Sequence, residues 1–142
     1  MKKAMFIGAI GCGKTSFIQK LNELQMTYNK TQTIEFYNNV IDTPGEYVEH
    51  RAMYSNLMTT AIEADVIVLM QSATDPRIVL PTGFSTMFTK ETIGVVTKTD
   101  IATNQQIEMV TERLRDAGAE KMFEISAKTG ANVQQLIDYL RN

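Results

Sequence analysis

Eight residues near the amino end, Gly8-Ala9-Ile10-Gly11-Cys12-Gly13-Lys14-Thr15, restrict what this chain can fold into more than any other stretch. They fit G-x-x-x-x-G-K-[ST], a loop whose backbone N–H groups close around phosphate. The flanks are those such a loop needs. Ala4-Met5-Phe6-Ile7 before it is a short apolar run, the pattern of a strand buried on both faces. Phe17, Ile18, Leu21 and Leu24 after it recur at helical spacing, which predicts a helix from Thr15 to about Leu24. Backbone from Gly8 through Ile10, Gly11, Cys12 and Gly13 to Ser16 is the expected phosphate cradle, reinforced by the positive end of the helix. Lys14 is placed to reach the β- and γ-phosphates, and the Thr15 hydroxyl to meet Mg²⁺.

Bulk properties narrow the classes. A chain of 142 residues reads as one domain, 1–142. At this size about 70% of the unfolded surface is buried, enough for a real core. A net charge of −2 gives no electrostatic case for nucleic acid or an anionic membrane. The single cysteine, Cys12, excludes an internal disulfide and fits a reducing cytosol; at a helix start it reads as a small filler. No apolar run approaches the roughly 18 residues of a membrane span, and no signal-peptide pattern opens the chain. The nine methionines read as core filler.

Taken in order, Met1 to Ile7 is a strand, and Gln25 to Gln32 a short polar loop. Thr33 to Tyr37 reads as a second strand, and Asn38-Asn39 as a hairpin turn returning an antiparallel Val40-Ile41. Tyr47 to Ile62 reads as an irregular loop running into a helix. Asp65 to Met70 and Thr92 to Val96 are buried central strands, joined by a connector with two prolines and a short helix over Phe84 to Thr89. Thr103 with Gln106 predicts a capping box for a helix that stops at Gly118. Lys121 to Ile125 is the last strand, and Val133, Leu136, Ile137 and Leu140 line one face of the final helix. The alternation predicts an α/β fold of three layers, a mainly parallel sheet of about six strands with one antiparallel edge hairpin. Ligands of such sheets lie beyond the carboxyl ends of the strands, where every motif here falls.

Two further motifs follow strands. Asp42-Thr43-Pro44-Gly45 has the form D-x-x-G, in which the Asp can hold Mg²⁺ through water and the Gly45 amide can meet a γ-phosphate. Thr97-Lys98-Thr99-Asp100 fits [NT]-K-x-D. Its carboxylate can accept two hydrogen bonds from guanine N1–H and N2, a donor pair adenine lacks. Lys98 would lay its stem along the base plane, and Ser126-Ala127-Lys128 would offer a backbone N–H to guanine O6.

In this order and on this architecture, the motifs resemble those of small GTPases of the translation-factor-like P-loop class. Lys30-Thr31-Gln32-x-x-Glu35-Phe36, Asp42-Thr43-Pro44-Gly45-Glu46-Tyr47 and the connector Asp75-Pro76…Leu80-Pro81 look more particularly like the EutP/PduV family of ethanolamine and propanediol utilisation. The resemblance covers nearly the whole chain. It implies a cytoplasmic, Mg²⁺-dependent protein binding GTP/GDP or ATP and serving amine or diol catabolism. Its members carry either a GTPase-like or an acetate-kinase assignment, and their bacterial microcompartment operons suggest shell or enzyme proteins as partners. Three readings stay open: a slow nucleoside triphosphatase switch, a phosphotransferase passing the γ-phosphate of ATP to acetate, and a nucleotide-gated adaptor docking through the exposed part of Tyr47 to Ile62.

Thr31 and Thr33 both qualify as the switch-loop Mg²⁺ ligand, and Lys30 could neutralise a transferring phosphate. Tyr28 could cover a base edge. His50 reads as a solvated residue. Ile10 stands where many small GTPases have Gly, and its bulk should crowd an inserted arginine. Glu46 stands where active GTPases often place a water-orienting Gln; a glutamate accepts from water but repels the γ-phosphate. Intrinsic hydrolysis is therefore expected to be slow. In single-turnover assays Glu46→Gln should be faster than the parent, and a parent that is already fast would refute the argument.

Overall fold

The apolar runs form strands because neither of their faces meets water. A computed structural model describes residues 2–20 and 39–141. Within it β1 (Ala4–Ile7), β2 (Val40–Asp42), β3 (Val66–Ser72), β4 (Glu91–Thr97) and β5 (Lys121–Glu124) make one sheet, in the order β2-β1-β3-β4-β5. Every neighbouring pair is parallel. All of β1 and β3, and all of β4 after Glu91, is buried. Alternate side chains then feed two cores. Met5, Ile7, Ile67 and Leu69 enter one; Ala4, Phe6, Val66, Val68 and Met70 enter the other.

Helices cover both faces. The described part of α1 is residues 14–20, and it packs Phe17 into the core that holds Phe6, their ring centroids 5.5 Å apart. α2 (Glu46–Glu49), a single 3₁₀ turn (Arg51–Met53) and α3 (Tyr54–Ala61) follow β2 and bury Val48, Leu57 and Ala61 on the opposite face. α4 (Asn104–Ala117) joins that face through Val110, Leu114 and Ala117. α5 (Val133–Arg141) buries Val133, Leu136, Ile137 and Leu140 beside Phe17. The result is the expected α/β fold in three layers, with an all-parallel sheet among the described residues.

Several local expectations hold with small shifts. The capping box is complete: the Gln106 N–H donates to Thr103 Oγ1 at 3.1 Å, and the Thr103 N–H to Gln106 Oε1 at 2.9 Å. β3 runs two residues further than the apolar pattern, through Gln71 and Ser72, which pair with Val96 and Thr97. Gln71 tolerates burial because its amide donates to the carbonyls of Asp75 and Arg77. The short helix after the connector is a 3₁₀ turn, Phe84–Met87, and Phe88 is already extended. Methionine is not uniformly core filler. Met5 and Met70 are buried, but Met58 and Met109 are exposed, as is Ile62 beside α3. The strand expected over Thr33 to Tyr37, its expected hairpin turn at Asn38, the polar loop expected over Gln25 to Gln32 and the expected end of α1 over Leu21 to Leu24 lie outside the described residues.

Gly118 ends α4 at φ +116, donating to Arg115 O while Ala119 N–H reaches back to Leu114 O. A Cβ there would fall 1.8 Å from Ser85 Oγ. Gly118→Ala is expected to destabilise the fold by about 1–3 kcal/mol, from left-handed strain and displacement of Ser85. A urea midpoint equal to the parent's would contradict this.

Candidate functional site

Four strand ends, those of β1, β2, β4 and β5, place the sequence motifs on one edge of the sheet. The loop after β1 turns into α1 through Gly13, at φ +101, with the Phe17 N–H closing on Gly13 O at 2.9 Å. Lys14 is buried, and its Nζ donates to Gly8 O at 3.1 Å and to Thr43 O at 2.5 Å. Asp42 Oδ1 lies 3.9 Å from the same nitrogen and is half exposed. Thr43 is held in turn by its hydroxyl, which donates to Phe6 O at 2.7 Å. The loops after β1 and β2 thus meet at one ammonium group.

Gly45 follows at the start of α2. A Cβ on it would stand 2.6 Å from Ile10 N and 2.9 Å from Ile10 Cα, so only glycine lets the two loops lie this close. Ile10 itself projects into solvent.

The loop after β4 grips the first loop from the other side. Thr97 Oγ1 donates to Cys12 O, and Lys98 Nζ to Gly11 O at 2.8 Å. Lys98 adopts φ +57, a strained left-handed conformation for a residue with a side chain, of the kind that collects at functional sites. It turns the chain into a 3₁₀ segment, Thr99–Ile101, that carries Asp100. Asp100 Oδ1 accepts from Ser126 Oγ at 2.9 Å.

Two adjoining clefts result. One, of about 390 Å³, is lined by Ala9 to Ser16, Asp42 to Gly45 and Lys98. The other, of about 480 Å³, is lined by Gly13, Ser16, Phe17, Gln19, Lys20, Thr97, Lys98, Asp100, Ile101, Ile125, Ala127 and Lys128. Gly13, Ser16 and Lys98 border both. Each volume lies in the range of small-ligand sites. Thr15 and Asp42 bring a hydroxyl and a carboxylate to the same cleft, a hard-oxygen donor pair of the kind Mg²⁺ takes together with phosphate. Among the described residues no cluster of three His, Cys, Asp or Glu could hold a metal by protein ligands alone.

Some placements differ from the sequence expectation. Ser126 is buried with its N–H committed to Ala131 O, so its amide is not the one facing a base; its hydroxyl orients Asp100 instead. Ala127 and Lys128 do line the cleft. Glu46 is exposed at the start of α2 and borders neither cleft. His50 is exposed. Tyr28, Lys30, Thr31 and Thr33 lie outside the described residues. Sequence reasoning missed Phe17, Gln19 and Lys20 as cleft residues, although they follow the loop on the first turn and a half of α1. It also missed Thr43, whose contribution is a main-chain carbonyl and leaves no side-chain signature.

Burial pushes the Cys12 thiol up from its ordinary range, opposed by the neighbouring Lys14 backbone and charge. Its thiolate is therefore scarce at neutral pH. Iodoacetamide at pH 8 should alkylate the folded protein more slowly than the urea-unfolded chain, and equal rates would contradict the burial argument.

The family model described as ethanolamine utilisation and propanediol utilisation, PduV-EutP, matches residues 1–142. The propanediol utilization protein PduV of Citrobacter freundii is 41% identical over 140 residues, covering 99% of this chain and 93% of that one. "Probable acetate kinase EutP" of Escherichia coli is 36% identical over 143 residues, covering 99% and 89%. Among solved structures, translation elongation factor SelB from Methanococcus maripaludis, in complex with the GTP analogue GppNHp, superposes with a TM-score of 0.62 at 20% identity. That match covers 99% of this chain but only 33% of the elongation factor, and it establishes a shared fold.

Proposed function

The chain belongs to the PduV-EutP family of ethanolamine and propanediol utilisation, and from that premise we propose that its paired clefts bind a purine nucleoside triphosphate with Mg²⁺ and act as a slow, GTPase-like switch. One observation carries the reading. The phosphate-loop cleft and the Asp100 cleft adjoin and share Gly13, Ser16 and Lys98 as walls, which suits one elongated ligand with an anionic end and a flat end.

Each residue then has a task. Backbone N–H groups of the cleft-lining loop from Ala9 to Ser16 hold the phosphates, apart from that of Cys12, which Ala9 O takes. Lys14 exchanges its carbonyl partners for phosphate oxygens and neutralises charge there. Thr15 and Asp42, with Thr31 or Thr33, hold Mg²⁺, which when bound offsets phosphate charge. The Gly45 N–H meets the γ-phosphate. Asp100, oriented by Ser126, takes the guanine N1–H and N2 donors, while Thr97 and Lys98 fix that loop and Ala127 and Lys128 wall the base. Glu46, exposed next to Gly45 and outside both clefts, adds a negative charge at the mouth of the phosphate-loop cleft, which is consistent with slow turnover. Residues 1–142 act as one unit in the cytoplasm, with microcompartment shell or enzyme proteins as partners.

A second reading has a specific observation behind it: relatives at 36% identity carry the name "Probable acetate kinase EutP". In that case ATP is the donor, and Lys14 with Lys30 offsets repulsion between the γ-phosphate and acetate. A purely adaptor role keeps nucleotide binding and drops catalysis.

One assay separates them. The protein is incubated with Mg²⁺ and GTP or ATP, with and without acetate, and acetyl phosphate and inorganic phosphate are followed. Slow phosphate release with GTP alone is the expected outcome. Acetate-dependent acetyl phosphate selects the kinase, and tight binding without turnover the adaptor. Lys14→Ala should weaken Mg-nucleotide affinity by about 10- to 100-fold, the range for a lost hydrogen bond to a charged group. Undiminished binding would remove the basis of all three readings. Asp100→Ala should erase any preference for GTP over ATP.

A further inference from the structure

The connector after β3 contains an ion-pair cluster that the nucleotide reading leaves unused. Gln71, buried at the end of β3, donates to the carbonyls of Asp75 at 3.1 Å and Arg77 at 2.9 Å, which fixes the intervening turn. Asp75 Oδ1 accepts from the Arg77 N–H at 3.0 Å, and its carboxylate takes the Arg77 guanidinium side-on, through Nε at 3.1 Å and Nη2 at 2.9 Å. The guanidinium is therefore oriented before it meets anything else. Its remaining nitrogen, Nη1, lies 3.5 Å from Glu49 Oε1.

Glu49 is the last residue of α2, the turn that opens with Gly45 and Glu46. α2 is one turn long and has little stability of its own. It is held by Val48 N–H to Gly45 O at 3.3 Å, by His50 N–H to Glu46 O at 3.2 Å, and by burial of Val48. A tie at Glu49 therefore bears directly on where Gly45 sits. The surrounding charge is balanced: Asp75 and Glu49 face Arg77, and Arg113 on α4 also attracts Asp75. Arg77 holds the Asp75 carboxyl below its usual range.

We propose that Arg77 is a positioning residue: anchored by Asp75 and Gln71, it clamps Glu49 and thereby holds α2 where the Gly45 amide meets a γ-phosphate. The clamp is a contact of the protein alone; its effect on ligand rests on the nucleotide reading above. It also gives the Asp75-Pro76-Arg77 segment a task, since the connector turn is what aims the guanidinium.

The test compares the full-length parent with Arg77→Ala, Glu49→Gln, the double variant and Arg77→Lys. Hydrogen exchange over residues 45–53 is measured without nucleotide. Each single variant should exchange about two- to five-fold faster, the range for a partly exposed ion pair, and the double variant no faster than the worse single. Arg77→Lys should restore only part of the protection, because an ammonium cannot hold both carboxylates in a planar fork. Affinities for GDP and for a non-hydrolysable GTP analogue are measured in parallel. GDP affinity should be unchanged, and analogue affinity should fall by the same two- to five-fold. Unchanged exchange, or additive single effects, overturns the clamp. Faster exchange with equal changes for both nucleotides leaves a structural tie and overturns the positioning role. If the parent binds neither nucleotide, the cleft reading falls and the positioning role with it, while exchange at α2 still decides the contact.

Discussion

A buried ammonium group organises the carboxyl edge of this sheet. Lys14 Nζ lies out of solvent between the carbonyls of Gly8 and Thr43, with the Asp42 carboxylate beyond. A cation is costly to bury unless its hydrogen-bonding capacity is met, so the loops after β1 and β2 are held to it and cannot be placed independently. Thr43 is itself pinned to β1 through Phe6 O, so the ammonium is referred back to the central strand. An anion entering the phosphate loop competes with the Thr43 carbonyl and the Asp42 carboxylate for the same protons. On the reading proposed above, that competition would carry ligand charge into the segment running on to Gly45 and α2.

The sheet makes this convergence possible. Parallel strands bring all their carboxyl ends to one edge, and burial on both faces fixes their relative heights. β1 and β4 do not pair; β3 lies between them. Even so, the loop after β4 reaches across to the loop after β1, through Thr97 to Cys12 and Lys98 to Gly11. The left-handed backbone at Lys98 is the local cost of that reach. Asp100, one turn further on, is aimed by the Ser126 hydroxyl from the loop after β5. Every strand end but that of β3 thus borders the clefts or orients a residue that does, and β3 instead carries the connector that ties α2.

Much of the fold was legible because burial leaves a strong periodic trace. The continuous apolar runs around Val66 and Val95, the Thr103–Gln106 cap and the Val133, Leu136, Ile137, Leu140 stripe all appear where the pattern places them. The extra residues of β3 were hidden because Gln71 reads as a strand end until its amide partners are seen. The phosphate-loop, D-x-x-G and [NT]-K-x-D motifs were legible as short patterns, and the structure brings them to one edge. What they could not convey was how they interact. The Ser126-Ala127-Lys128 pattern reads as a source of one backbone donor without saying which residue gives it; Ser126 turns its N–H inward and uses its hydroxyl on Asp100. Thr43 acts through a carbonyl, which every residue possesses. The Arg77–Glu49 contact spans separate elements, so no local pattern encodes it.

The two hydrogen bonds from Thr97 and Lys98 to the first loop make the protein a fixed-gap calliper. The separation between the Asp100 loop and the loop after β1 is set by two side chains that reach main-chain carbonyls, so the protein holds it by contacts of its own. On the nucleotide reading proposed above, a molecule whose end groups are spaced differently would have to forgo one end or break a staple, so its length would count as well as its charge.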